Sequence, residues 1–186
     1  MPILDAEPMV YPESLFDESV DFPGREWLVF HVRPRQEKSL SRELHRWEIP
    51  YYLPQIRRSK LTRGRQSHSY IPLFPGYVFL LGTPDERIQA LTTKRVVQHL
   101  SVPDQEAFRA DLEQTAKLIA TGLPIVQESK CVPGTRVRVC EGPLRGFIGV
   151  VERQGSGQRL VVWIDFIQQG ASVTLPQDCV VAFHDF

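Results

Sequence analysis

Two textures divide this 186-residue chain, and one layer of structure cannot accommodate both. From residue 27 to about residue 120, some runs repeat apolar residues at helical spacing and others at strand spacing. From about residue 131, short alternating runs are separated by turns bearing glycine or proline. The first texture asks for helices laid on a sheet, the second for an all-β unit. Two domains are therefore expected.

The first texture opens with "REWLVFHVRP". Trp27, Val29 and His31 alternate with Leu28, Phe30 and Val32, which predicts a strand apolar on both faces, ended by Pro34. In "RQEKSLSRELHRWEIP", Leu40, Leu44 and Trp47 form one helical stripe, with Glu37, Lys38, Arg42 and Glu43 on the other side and Pro50 as the stop. "YYLPQI" reads as a short aromatic strand. "RRSKLTRGRQSHS" carries Arg57, Arg58, Lys60, Arg63 and Arg65 with no acid, and Gly64 suggests a turn, so an exposed basic hairpin or loop is expected.

"PLFPGYVFL" follows at residues 72–80. Pro72 and Pro75 donate no ladder hydrogen bond, so this is a stiff entry to a strand over residues 77–81. Thr83 then caps a short helix with Pro84 at its first position. A short strand, "VVQHLSV", precedes a second helix with Phe108, Leu112, Thr115 and Ile119 on its stripe. The order β-α-β-β-α-β-α predicts an α+β domain, a split βαβ (ferredoxin-like) antiparallel sheet covered by helices on one side, over residues 25–120.

Residues 121–130 read as a linker. In the region 131–186 five runs (136–140, 146–153, 159–166, 172–175 and 180–183) predict a small five-stranded barrel. Its glycines and prolines oppose helix, so no switch to a helical form is expected.

Charge is segregated although it sums to zero. Residues 1–24 hold six acids and no base, and read as an acidic flexible tail; residues 25–100 hold 14 Lys and Arg against 6 acids. That middle excess suggests a polyanion or an acidic partner. Cys131, Cys140 and Cys179 are too few and too scattered for a disulfide framework or zinc site. No apolar run approaches the length of a membrane helix, no secretory signal begins the chain, and no catalytic motif is found. A cytoplasmic monomer without cofactor or enzymatic activity is expected.

"FPGYVFL" at residues 74–80 resembles the signature of the NusG-type N-terminal domain. "VPGTRVRVCEGPLRGFIGVVE" at residues 132–152 resembles a KOW motif, which makes the predicted barrel SH3-like. The order of elements between them fits as well. The resemblance implies a transcription elongation factor whose N-terminal domain docks on the clamp helices of the largest RNA polymerase subunit and can contact the non-template DNA strand. It also implies a KOW domain that recruits a small-subunit ribosomal protein or a termination factor. On it, Phe74, Pro75, Gly76, Tyr77, Tyr51 and Tyr52 become the polymerase-binding set, with rigid rings flanking a turn. Arg57, Arg58, Lys60, Arg63, Arg65 and His68 become the nucleic-acid set, with His68 and Tyr70 as rings for a displaced base. Phe147, Phe166 and Ile167 become the KOW partner surface. Gln168 and Gln169 stand where the family often has Gly-Arg, and with the acidic extension they suggest a specialised, RfaH-like antiterminator paralogue. A ribosome-associated or RNA-binding KOW protein is the alternative.

Overall fold

The computed structural model describes residues 8–62, 65–128, 136–154, 157–175, 179 and 181–183. It is a mixed α+β protein whose chain divides into two compact units between Gln105 and Glu106.

The first unit is built on a five-stranded antiparallel sheet. Its strands are β1 (Val10–Tyr11), β2 (Glu26–Val32), β3 (Tyr51–Tyr52), β6 (Tyr77–Gly82) and β7 (Val96–Ser101), in the order β1-β3-β6-β2-β7. β4 (Gln55–Thr62) and β5 (Arg65–Pro72) pair separately as a two-stranded hairpin. The helices α1 (Glu37–Arg46) and α2 (Pro84–Thr92) complete the unit. Leu40 and Leu44 of α1 are fully buried in a core with Leu28, Phe30, Tyr51 and Leu80, and Trp47 packs against it half-buried. The opposite face of β2 and β6 carries Trp27, Val29 and Phe79, also buried, so the two-sided apolar pattern of β2 is realised except at exposed His31.

The start of α2 follows its sequence signal closely. Thr83 Oγ1 accepts from the Glu86 N–H at 3.3 Å, and Glu86 Oε2 accepts from the Thr83 N–H at 2.7 Å. Arg25 grips the same carboxylate from Nε and Nη2 at 3.1 and 2.6 Å.

Residues 8–24 depart from the expected flexible tail. Val10 and Tyr11 pair with Tyr52 and Tyr51, Leu53 N–H donates to the Met9 carbonyl at 2.6 Å, and Leu15 is fully buried. Phe16 stacks on Trp27 at 6.1 Å and meets Tyr52 edge-on at 5.1 Å. The segment's acids are unbalanced by any base, but its apolar residues, Leu15 and Phe16 among them, supply the anchors, and those decide where it sits.

In the second unit, α3 (Gln105–Ala120) buries Phe108, Leu112, Thr115 and Leu118. The stripe thus runs through Leu118, with Ile119 half-buried. A six-stranded antiparallel sheet runs β13-β9-β10-β11-β12-β8. Its members are β8 (Ile125–Glu128), β9 (Arg136–Val139), β10 (Ile148–Gln154), β11 (Gly157–Ile164), β12 (Gln169–Thr174) and β13 (Val181–Phe183). The five expected strands are present. The sixth, β8, comes from residues expected to be linker, because the β-branched pair Ile125-Val126 joins the edge of β12. Arg159 on β11 secures it, reaching Glu128 at 2.8 Å and Glu152 at 2.6 Å. Among the described residues the outer strands β13 and β8 do not pair with each other, so the sheet is not a closed five-stranded barrel. Cys131 lies outside the described residues, and Cys140 and Cys179 are free thiols.

Candidate functional site

Residues 74–77 form a tight turn that explains their composition. The Tyr77 N–H donates to the Phe74 carbonyl at 3.2 Å, with Pro75 and Gly76 between them. Pro75 supplies the fixed φ of the first corner, and Gly76 takes φ +85°, the left-handed angle that the second corner of a type II turn requires. Both polar groups of Gly76 are held. Its N–H donates to Glu37 Oε1 at 2.8 Å, and its carbonyl accepts from the Val32 N–H at 2.8 Å.

The turn sorts the predicted polymerase-binding residues into two groups. Phe74 points inward, 1% exposed, edge-on to Phe79 at 6.2 Å. Tyr51 and Tyr52 are also buried, at 1% and 2%. Tyr51 donates its hydroxyl to the Pro8 carbonyl at 3.1 Å, while burial drives the Tyr52 phenol's pKa far upward. Phe74, Tyr51 and Tyr52 are therefore core residues here, and the expectation that they offer contact area is corrected. The reason is packing: Phe74 meets Phe79, Tyr51 meets Tyr11 and His45, and Tyr52 meets Phe16 and Phe79, so these rings are taken up by the core. Pro75 is exposed, and Tyr77 is half-buried. Tyr77 lies opposite His31 across the ladder, their rings 5.5 Å apart, and His31 is exposed. Pro75, Tyr77 and His31 thus make the outward part of the site.

The adjoining hairpin meets the expectation of a basic β-ribbon. Its register sets Arg57 against Tyr70, Arg58 against Ser69 and Ser59 against His68. Strand alternation places Arg57, Ser59, His68 and Tyr70 on one face and Arg58 on the other. Arg57 and Arg58 are exposed. Ser59 Oγ and His68 Nδ1 lie 2.9 Å apart, which orients the ring of half-buried His68. Lys60 and Arg65 belong to the paired strands, and Arg63 lies outside the described residues.

In the second unit, Phe147 and Ile167 are buried at 9% each, so the expected partner surface retains only Phe166 as a half-open ring. Phe166 sits on the 3-10 turn Asp165–Ile167 and meets Phe108 of α3 edge-on at 5.8 Å. Gln168, which follows, adopts the left-handed conformation at φ 52°.

Sequence reasoning missed His31 and Glu37. His31 carried a signal, since it is the one polar member of an otherwise apolar strand pattern. Glu37 carried none: as a charged residue in the first turn of an amphipathic helix it reads as solvated, yet it is 6% exposed. Among the described residues no group of His, Cys, Asp and Glu is arranged to hold a metal ion, and no helix is long and apolar enough to cross a membrane.

No curated protein sequence matches the chain. Among solved structures, one described as domain interaction in Thermotoga maritima NusG is similar at 17% identity, over 81% of this chain and 93% of that one, with a TM-score of 0.44. Another, the MjSpt4:Spt5 complex in conformation B, is similar at 16% identity over 85% and 97%, with a TM-score of 0.30. Both scores are below 0.5, so the weight rests on the family model described as NusG, transcription termination factor nusG, which matches residues 25–115 and hence both the turn and the basic hairpin. Residues 25–115 therefore form a domain of the NusG family.

Proposed function

We propose that the chain is a transcription elongation and antitermination factor. Its first unit docks on the clamp helices of the largest RNA polymerase subunit and brings the basic hairpin to the non-template strand. The observation that supports this most is the adjacency of two surfaces: the outward set Pro75, Tyr77 and His31, on a turn held at both polar groups of Gly76, and the exposed Arg57 and Arg58 of the hairpin that leads into it. A rigid aromatic beside a proline loses little conformational freedom on docking. Cations on a two-stranded ribbon neutralise phosphates and release counterions, while His68 and Tyr70, two residues apart on one face, suit an unstacked base.

The second unit serves in this reading as a KOW domain over residues 131–186. It recruits a small-subunit ribosomal protein or a termination factor, with Phe166 as the accessible ring. The glutamines at 168 and 169 and the acidic N-terminal segment favour a specialised paralogue acting on selected operons. The protein acts by binding alone and catalyses no reaction.

The salt dependence of binding tests the nucleic-acid half of this reading. Affinity for a polymerase complex carrying an open single-stranded region should fall with salt. Arg57→Ala and Arg58→Ala should each reduce the logarithmic slope by roughly 0.7 to 1. A slope equal to that of the wild type in both variants would remove the hairpin from the nucleic-acid interface.

A further inference from the structure

We infer that Glu37 and Lys38, the first two residues of α1, act together as positioning residues that set the 74–77 turn and the basic hairpin in one fixed relation. This rests on the docking reading above, in which the turn meets polymerase and the hairpin meets nucleic acid.

The two elements need such a device. The hairpin is a two-stranded sheet separate from the five-stranded one, and a two-stranded ribbon is marginal alone. Only Leu73 separates the end of β5 from the turn. At the hairpin base the Leu73 N–H donates to the Pro54 carbonyl at 2.8 Å, which closes the ribbon without aiming it.

The aiming contacts come from α1. Glu37 Oε1 accepts from the Gly76 N–H at 2.8 Å, 39 residues away in sequence. Lys38 Nζ donates to the Tyr70 carbonyl at 2.7 Å. Tyr70 lies opposite Arg57, so the lysine grips the hairpin at the level of its first arginine. Successive helix residues diverge by about 100°, which lets one carry a contact to the turn and the next a contact to the hairpin. The helix is itself fixed by Leu40 and Leu44, both fully buried. Glu37 is 6% exposed and its side chain reaches the turn instead of solvent, a placement that fits a geometric role.

The test uses the full chain with three variants. Glu37→Leu removes the acceptor, Glu37→Gln keeps an acceptor oxygen, and Lys38→Met keeps the apolar stem but loses the donor. In the free protein, exchange of the Gly76 amide hydrogen should speed about tenfold or more in Glu37→Leu and stay close to wild type in Glu37→Gln. Lys38→Met should leave the melting temperature unchanged while the backbone amides of the hairpin reorient more independently, read by nitrogen-15 relaxation. It should bind bare polymerase within about twofold of wild type, and lose about fivefold or more of the added affinity that an open nucleic-acid scaffold confers. Unaltered hairpin relaxation in Lys38→Met would overturn the inference, as would unaltered Gly76 exchange in Glu37→Leu. If Glu37→Leu does not fold, Lys38→Met decides alone. If the wild type does not bind polymerase, the docking reading fails, and exchange and relaxation in the free protein still decide whether the clamp exists.

Discussion

At the scale of single residues, one turn separates roles that look alike in sequence. Phe74 and Tyr77 are both aromatic and both flank Pro75-Gly76, yet the first is core and the second reaches the surface. Truncating a fully buried phenylalanine removes its transfer energy and leaves a cavity. Phe74→Ala is therefore expected to destabilise the fold by about 3–5 kcal/mol, measured by denaturant unfolding. Tyr77→Ala should lose distinctly less, since its ring is already partly in water. Equal losses would mean that the turn does not sort the rings as described. The motif itself was legible, because two prolines and a glycine mark a turn at those positions. The inward direction of Phe74 was not legible, since it depends on the tertiary contact with Phe79 and on the angles taken at Gly76.

Elements with local causes were the easiest to read. Helix α2 begins where Thr83, Pro84 and the first-turn acids place it, because capping is satisfied within four residues. The long-range partner of that cap was hidden: Arg25 lies 61 residues away and binds Glu86 from the position just before β2. Its effect should appear in acid. Burial alone would raise the pKa of the Glu86 carboxyl, but hydrogen bonds from Arg25 and Thr83 overcome this and hold it below the ordinary glutamate range. A carboxyl with a lowered folded-state pKa stabilises the fold in full above its unfolded value, about pH 4.3, and loses that contribution as pH falls through the lowered value. The stability difference between wild type and Glu86→Gln should thus shrink as pH drops below about 4, measured by unfolding across an acid series. A difference independent of pH would show that the ion pair contributes nothing. Strand β8 is the opposite case: Ile125-Val126 is too short a signal to stand out from a linker, and its pairing depends on the edge offered by β12 and on Arg159 meeting Glu128.

Across the whole molecule, the division into a helix-bearing unit and an all-β sheet followed from the change in periodicity. The placement of α3 with the second unit did not, since it depends on contacts such as Phe108 with Phe166 that no local pattern announces. The N-terminal segment was hidden by its own composition. Its described acids, Glu13, Asp17, Glu18 and Asp21, are exposed, while Leu15 and Phe16 anchor it. Deleting residues 1–17 removes β1 and both anchors and uncovers Tyr51, Tyr52 and Trp27, so a loss of about 3 kcal/mol and a lower melting temperature are expected. An unchanged melting temperature would return the segment to the status of a solvated tail.

In the function proposed above, the outward face of the 74–77 turn docks the chain on RNA polymerase. The most direct measurement is the affinity of the full chain for core polymerase, wild type against Tyr77→Ala, with melting temperatures recorded alongside. Binding by the wild type and weakening by about 30-fold in a normally folded Tyr77→Ala protein is the predicted result, the loss of roughly 2 kcal/mol that a central aromatic contact carries. Equal binding by both proteins would contradict the claim, as would a wild-type chain that sediments with ribosomes and leaves polymerase unbound.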